Sequence, residues 1–232
     1  MTTEPASKTR RQKVEDREQS ILSAARDMFN ENGYAGTTIA DIARRSGVAD
    51  GTVYLYFKNK EALARAVLAY FYTELTESAQ AGVDRLSTTR ERLEFLAMHH
   101  MAQVIRHRRL LEILSMHDLP MDHYQGSELY KMNKAYTAVF DRVAKDGVSQ
   151  GHMRKTAAPW VMRDIFFGAM DYASRTIIMF RKAEDIEVFV GDLMALLLDN
   201  SAPKDNADLT GRLEAAATRL ELAAEIIERA QS

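Results

Sequence analysis

The chain has 232 residues, 46% of them hydrophobic and 28% charged, enough for one good-sized folded domain or a small domain plus a larger one. It contains no cysteine, which excludes disulfides, thiolate metal ligands and a cysteine nucleophile. A formal net charge of −2 gives no overall attraction to polyanions, so any nucleic-acid binding must come from a local patch.

Only 11 glycines and four prolines punctuate the chain, and they cluster, so the long stretches between them favour an all-α fold. No segment approaches the roughly 18 consecutive apolar residues of a membrane span, and the start lacks the apolar core of a signal peptide. A cytoplasmic protein without a membrane partner is expected. Residues 1–15 read as a flexible basic arm whose Lys8, Arg10, Arg11 and Lys13 are either a solvated tail or a DNA-touching patch. From Asp16 to Asn32, Ile21, Leu22, Ala25, Met28 and Phe29 recur at helical spacing, and Gly33 supplies a left-handed end. Thr38 with Asp41 caps a short helix that carries Ile39, Ile42 and Ala43 inward. Gly47 breaks it, Val48 turns back to the core, and a second short helix begins near Ala49 and Asp50. Asn59 caps a long helix from Lys60 to about Gln80.

Helix, glycine turn and helix at this spacing form a helix-turn-helix, whose second helix enters the major groove of DNA. The residue chemistry suits that use. Gly51 permits close backbone approach, Thr52 can bond a phosphate or touch a thymine methyl, and Tyr54 and Tyr56 can donate to phosphates. Lys60 opens the next helix, where backbone N–H groups already favour an anion. Asp50 is repelled by phosphate and reads either as a cytosine-amino acceptor or as a helix cap. Arg44 and Arg45 join on charge alone, and one of them can equally be a solvated face.

These residues carry a resemblance to the TetR (tetracycline-repressor) family of bacterial transcription regulators. The carriers are Phe29, Gly33, Tyr34, Thr37-Thr38-Ile39, Ile42-Ala43, Gly47-Val48 and the run from Gly51 to Leu63. Ala49 departs from the serine common there. The resemblance implies DNA contacts from Thr38, Gly51, Thr52, Tyr54, Tyr56 and Lys60. It also implies an organisation with a DNA-binding domain over 16–62, a helical effector-binding and dimerisation domain over 63–200, and an accessory segment over 201–232.

In the larger part, helices are expected over Arg90–Arg106, Leu110–Met116 and Ser127–Lys145, over a segment with Pro159 in its first turn, and from about Glu184. The first should show one apolar face with Leu93, Leu96, Ala97, His100, Met101 and Val104. Gly147 to Gly151 reads as a loop, and Thr156 as the cap before Pro159. A linker follows Asn200. Leu209, Leu213, Ala216, Leu220, Ala223 and Ile227 then form a heptad seam, which either lies on its own domain, pairs with its copy or binds another partner.

Two motifs are set aside. Gly147-Val148-Ser149-Gln150-Gly151 spells the hydrolase nucleophile elbow, but that motif needs an entering strand and a helix enters here, so no catalytic residue is expected. The histidines show no metal-ligand spacing, and no metal or cofactor is expected. The many methionines can line an adaptable apolar pocket or simply fill a core. In a TetR-like chain, Met98, Met101, Met116, Tyr130, Asn133, Tyr136, Phe166 and Met170 become candidate effector-pocket residues, with Arg163 and Asp171 as further polar anchors. The Ile165-Phe166-Phe167-Gly168-Ala169-Met170-Asp171 run and the Lys145-Asp146-Gly147 and Gly151 loop resemble the acyl-CoA-responsive fatty-acid-metabolism branch. The reading is a homodimeric repressor on a palindromic double-stranded DNA operator, released by a small apolar effector such as an acyl-CoA. The alternative is a helical adaptor working through its heptad tail.

Overall fold

Thr9 starts the first helix. Its hydroxyl accepts from the Gln12 backbone while the Gln12 side chain returns a bond to the Thr9 backbone N–H at 2.9 Å, a reciprocal capping box. The computed structural model describes residues 9–116, 126–153, 158–180 and 185–198. Among them are nine helices: α1 (Arg10–Gly36), α2 (Ile39–Ser46), α3 (Asp50–Tyr56), α4 (Lys60–Asp84), α5 (Thr89–Arg106), α6 (Arg108–Met116), α7 (Glu128–Ser149), α8 (Pro159–Phe180) and α9 (Asp185–Leu197). No strand occurs among the described residues, only an isolated backbone bridge between Met153 and Leu198. The all-α expectation holds. None of the described helices is long and apolar enough to cross a membrane.

The chain forms two units. The first contains described residues 9–71 and 108–116. The helix expected from Asp16 begins at Arg10, so Arg11 and Lys13 are helical, and Arg11 pairs with Glu15 at 2.8 Å; Lys8 lies outside the described residues. The Thr9-x-x-Gln12 signature was legible and outweighs the basic composition that suggested a flexible arm. Ile21, Ala25 and Phe29 are fully buried on one face of α1. Gly33 adopts φ 71°, which breaks the helix as expected and which only glycine takes without strain. Thr37 is buried and its hydroxyl donates to the Gly33 carbonyl at 2.8 Å, with the Met28 carbonyl also in reach at 3.1 Å, closing the carbonyl end of α1. Helix α6 packs on α1 through a segment containing buried Leu110 and Ile113. A boundary at 62/63 therefore falls inside α4, and α6 belongs with the first unit although the chain order places it among residues 63–200.

The second unit contains described residues 72–107, 126–153, 158–180 and 185–198. Its axis is α5, capped by Thr88 with Glu91 and packed against α7, α8 and α9. The expected single apolar face is corrected. Every residue from Leu96 to Ala102 is buried, His99 included, because neighbours surround the helix on several sides. The expected loop at Gly147–Gly151 is also corrected: α7 continues through Gly147 and Val148 to Ser149. A Cβ on Gly147 would stand 2.6 Å from Thr89 Cγ2 and 2.9 Å from Met153 Cγ, so this glycine answers a close helix contact, not a turn. Only Gln150 and Gly151 turn, the latter at φ 75°. Ser149 ends a helix and donates to the Asp146 carbonyl at 2.8 Å, so no strained elbow forms.

Pro159 opens α8, as expected. Trp160, the chain's only tryptophan, stands exposed in its first turn. Helices α8 and α9 bury Phe166, Met170 and Ile177, and Ile186, Val190 and Leu193. Each also exposes large apolar side chains: Ile165, Tyr172 and Met179 on α8, Val188 and Leu196 on α9. Thr156, the linker after Asn200 and the heptad seam lie outside the described residues.

Candidate functional site

In the first unit the turn geometry follows from the caps. The Thr38 hydroxyl accepts from the Asp41 backbone at 3.1 Å and donates to the Asp41 carboxylate at 2.5 Å. That bond, seconded by the Arg44 guanidinium, holds the Asp41 carboxyl below its usual pKa. Gly47 takes φ 71° and its N–H meets the Ala43 and Arg44 carbonyls, after which α3 leaves at a new angle. Ala49 occupies the cap position without a side-chain bond, so the cap reading of Asp50 shifts by one residue. Asp50 sits in the first turn of α3, where a carboxylate favours the helix dipole. Val53 and Phe57 anchor the inner side of α3.

The expected DNA-contacting residues fall into distinct settings. Gly51 and Tyr54 are exposed and Thr52 half-buried along α3. Arg44 is exposed but pairs with Asp41. Arg45 makes a two-pronged pair with Glu31 of α1, at 2.5 and 2.7 Å, which raises the guanidinium's pKa and lowers that of the carboxyl. The Tyr56 hydroxyl donates to the Val14 carbonyl at 3.4 Å. Lys60, which Asn59 precedes as cap of α4, holds its ammonium 4.3 Å from the centre of the Tyr34 ring, and partial burial lowers its pKa. The Arg45–Glu31 pair and the Tyr56–Val14 bond thus tie α2 and α3 back to α1, while Gly51 and Tyr54 stay exposed and Thr52 half-exposed.

In the second unit, Met98, Met101, Tyr136, Phe166 and Met170 are buried on α5, α7 and α8. Tyr130 and Asn133 are half-buried on the first turns of α7, and the side chain of Met116 lies outside the described residues. The centre is polar within an aromatic wall. His100 Nδ1 lies 3.1 Å from the Tyr136 hydroxyl and its Nε2 3.0 Å from the Asp171 carboxylate. The imidazole stacks on Tyr136 and meets the Phe167 edge at 5.1 Å, while Phe140 packs on Phe166 at 4.5 Å. Burial, with Tyr72 and Asp171 adding to it, pushes the Tyr136 hydroxyl well above its ordinary pKa, so it stays protonated. His99 faces another way. Its Nε2 lies 2.9 Å from Ser78 Oγ, and burial, with His100 adding, pushes it down to about 4. Its Nδ1 and the hydroxyl of fully buried Ser174 have no hydrogen-bond partner among the described residues. The His100–Tyr136–Asp171 chain escaped sequence reasoning because its members stand 36 and 71 residues apart. Both Asp171 and His100 were visible as polar residues inside apolar helical runs. Among the described residues no cluster of three or more metal-ligating groups occurs.

Comparisons with known proteins bear on both units. The family described as bacterial regulatory proteins, tetR family, matches residues 21–67. The family described as YsiA-like protein, C-terminal region, matches residues 72–200, more than half of the chain. A fatty acid metabolism regulator protein of Bacillus subtilis is 24% identical over 178 residues, spanning 77% of this chain and 92% of that one. The transcriptional repressor KstR2 of Mycolicibacterium smegmatis is 30% identical over 145 residues, spanning 60% of this chain and 68% of its own. The crystal structure of the regulator FadR from Bacillus subtilis in complex with stearoyl-CoA has a TM-score of 0.63 at 24% identity, covering 77% of this chain and 96% of that chain.

Proposed function

This chain belongs to the TetR family of bacterial regulatory proteins, and we propose that it is a homodimeric repressor that binds a palindromic operator and is released by a small apolar effector. The family consists of DNA-binding regulators, not enzymes. The observation that carries the DNA reading is the outward face of α3, where Gly51 and Tyr54 are exposed and Thr52 half-exposed while Val53 and Phe57 hold the helix in place. Lys60, at the first turn of α4, supplies a phosphate contact there.

Two such helices reach successive major grooves only from a dimer, with ~34–36 Å or a multiple between them. Ile165, Gly168, Tyr172 and Met179 recur along α8 at spacings of three, four and seven, one stripe of the helix, and they are exposed. With Val188 and Leu196 of α9 they form the surface on which the second copy packs.

The effector site lies around His100, Tyr136 and Asp171, where hydrogen-bonding groups are set among phenylalanines and methionines. Such a centre suits a ligand with an apolar body and a polar function. A relative's structure contains stearoyl-CoA, and an acyl-CoA ester is the effector class proposed here. An effector that binds better to the DNA-incompetent form lowers operator occupancy by shifting the population. Selecting bound DNA from a random pool, then titrating the complex with acyl-CoA esters of graded chain length, tests the reading. A palindromic consensus and release by one chain-length range are expected. The absence of any sequence preference would sink the regulator function, and indifference to every ester would sink the effector class.

A further inference from the structure

Leu55 is 84% exposed, the most exposed large apolar side chain among the described residues, and it lies on α3 one turn after Gly51. An isolated exposed leucine is ordinary. Gly51 supplies a second observation on the same face. Its φ is not positive, and a Cβ built there would meet nothing within 4 Å. Neither backbone nor internal packing therefore requires glycine, although glycine weakens a helix of only seven residues. Its smallness serves a body that approaches from outside, and Leu55 projects toward that same body.

We propose that Leu55 is a specificity-determining residue that rests on the 5-methyl group of an operator thymine, with Gly51 letting the backbone of α3 come close enough. The inference rests on the DNA-reading function above. The thymine methyl is the one apolar group that base pairs present in the major groove, where the other edge groups are donors and acceptors that a leucine would leave unpaired. Thr52 and Tyr54 flank the leucine with hydroxyls, a surrounding that suits a polar groove with a single methyl better than a dry protein patch.

The selected operator is resynthesised with each thymine replaced in turn by deoxyuridine, which deletes one methyl and preserves every hydrogen-bonding edge. At one position per half-site the wild-type protein weakens by about fourfold, the amount carried by one buried methyl. Leu55→Ala binds the intact operator more weakly and ignores that replacement, yet responds as wild type does at every other thymine. Leu55→Met retains the sensitivity. Because the side chain is exposed, both variants fold, which circular dichroism verifies. Identical deoxyuridine profiles for wild type and Leu55→Ala overturn the inference, as does undiminished operator affinity of Leu55→Ala. Failure to select any preferred sequence instead overturns the DNA-reading function and this inference with it.

Discussion

At the scale of single residues, burial decides chemistry more than residue type does. His99 and His100 are neighbours, yet one is held neutral by burial and the other bridges a hydroxyl and a carboxylate. Because folding depresses the His99 pKa from 6.5 to about 4, the unfolded chain takes up a proton in that interval and the folded one does not. The resulting stability is present above pH ~6.5 and falls as pH drops toward 4, by at most on the order of 3 kcal/mol. Urea titrations between pH 7 and 4.5 should show that slope, and His99→Gln should flatten it. Thr37 offers a second case. Thr37→Val removes a buried hydroxyl that serves the end of α1, so it should lower unfolding stability by about 1–3 kcal/mol. For Lys60→Ala, operator affinity should drop on all sequences and its salt slope should shrink by ~1. An unchanged slope removes Lys60 from the phosphate contacts and leaves its stacking on Tyr34 as its role.

At the scale of elements, local signals with a single physical cause were legible. Thr38 before Asp41, Gly47 after Arg45, Asn59 before Lys60 and Pro159 at a first turn each marked a helix end where the structure has one. Where two causes compete, reading along the chain went astray. Gly147 resembles a loop residue because glycine permits turns, but here it sits inside α7 so that Thr89 and Met153 can approach. Gly147→Ala should therefore destabilise the protein by about 1–3 kcal/mol through overpacking, despite alanine's better helix propensity. Thermal unfolding reads the sign directly, and a rise in Tm would return Gly147 to the role of a dispensable helix glycine. Helix α5 gave the opposite error. Its sequence shows one regular apolar face, yet His99 and Met98 on its other sides are buried as well, because α7, α8 and α9 all pack on it. Which neighbours a helix acquires is a long-range fact that no local period contains. The same reason hid the His100–Asp171 pair.

At the scale of the molecule, the helix-turn-helix could be recognised from a short run of residues, whereas the return of a later segment to the first unit could not. Segment 108–116 rejoins α1 after an excursion of thirty-odd residues, and only packing reveals it. The proposed assembly follows from what α8 and α9 leave exposed. Tyr172→Glu with Met179→Glu should yield a monomer in sedimentation and cut operator affinity at least tenfold, with the helical content unchanged. A double variant that still sediments as a dimer would move the interface elsewhere.

Trp160 gives the second unit a built-in optical probe. As the only indole in the chain, it supplies all of the tryptophan fluorescence, and its exposure places that emission at long wavelength. Eleven residues separate it from Asp171, close to three whole turns, so the two lie along the same side of α8 roughly 16 Å apart. Emission from unlabelled protein therefore tracks the flank of α8 that leads to the His100 cluster, while the stripe of Ile165, Tyr172 and Met179 lies on a different side. Quenching by a soluble quencher can test the proposed effector binding separately from the proposed assembly, with no engineered dye.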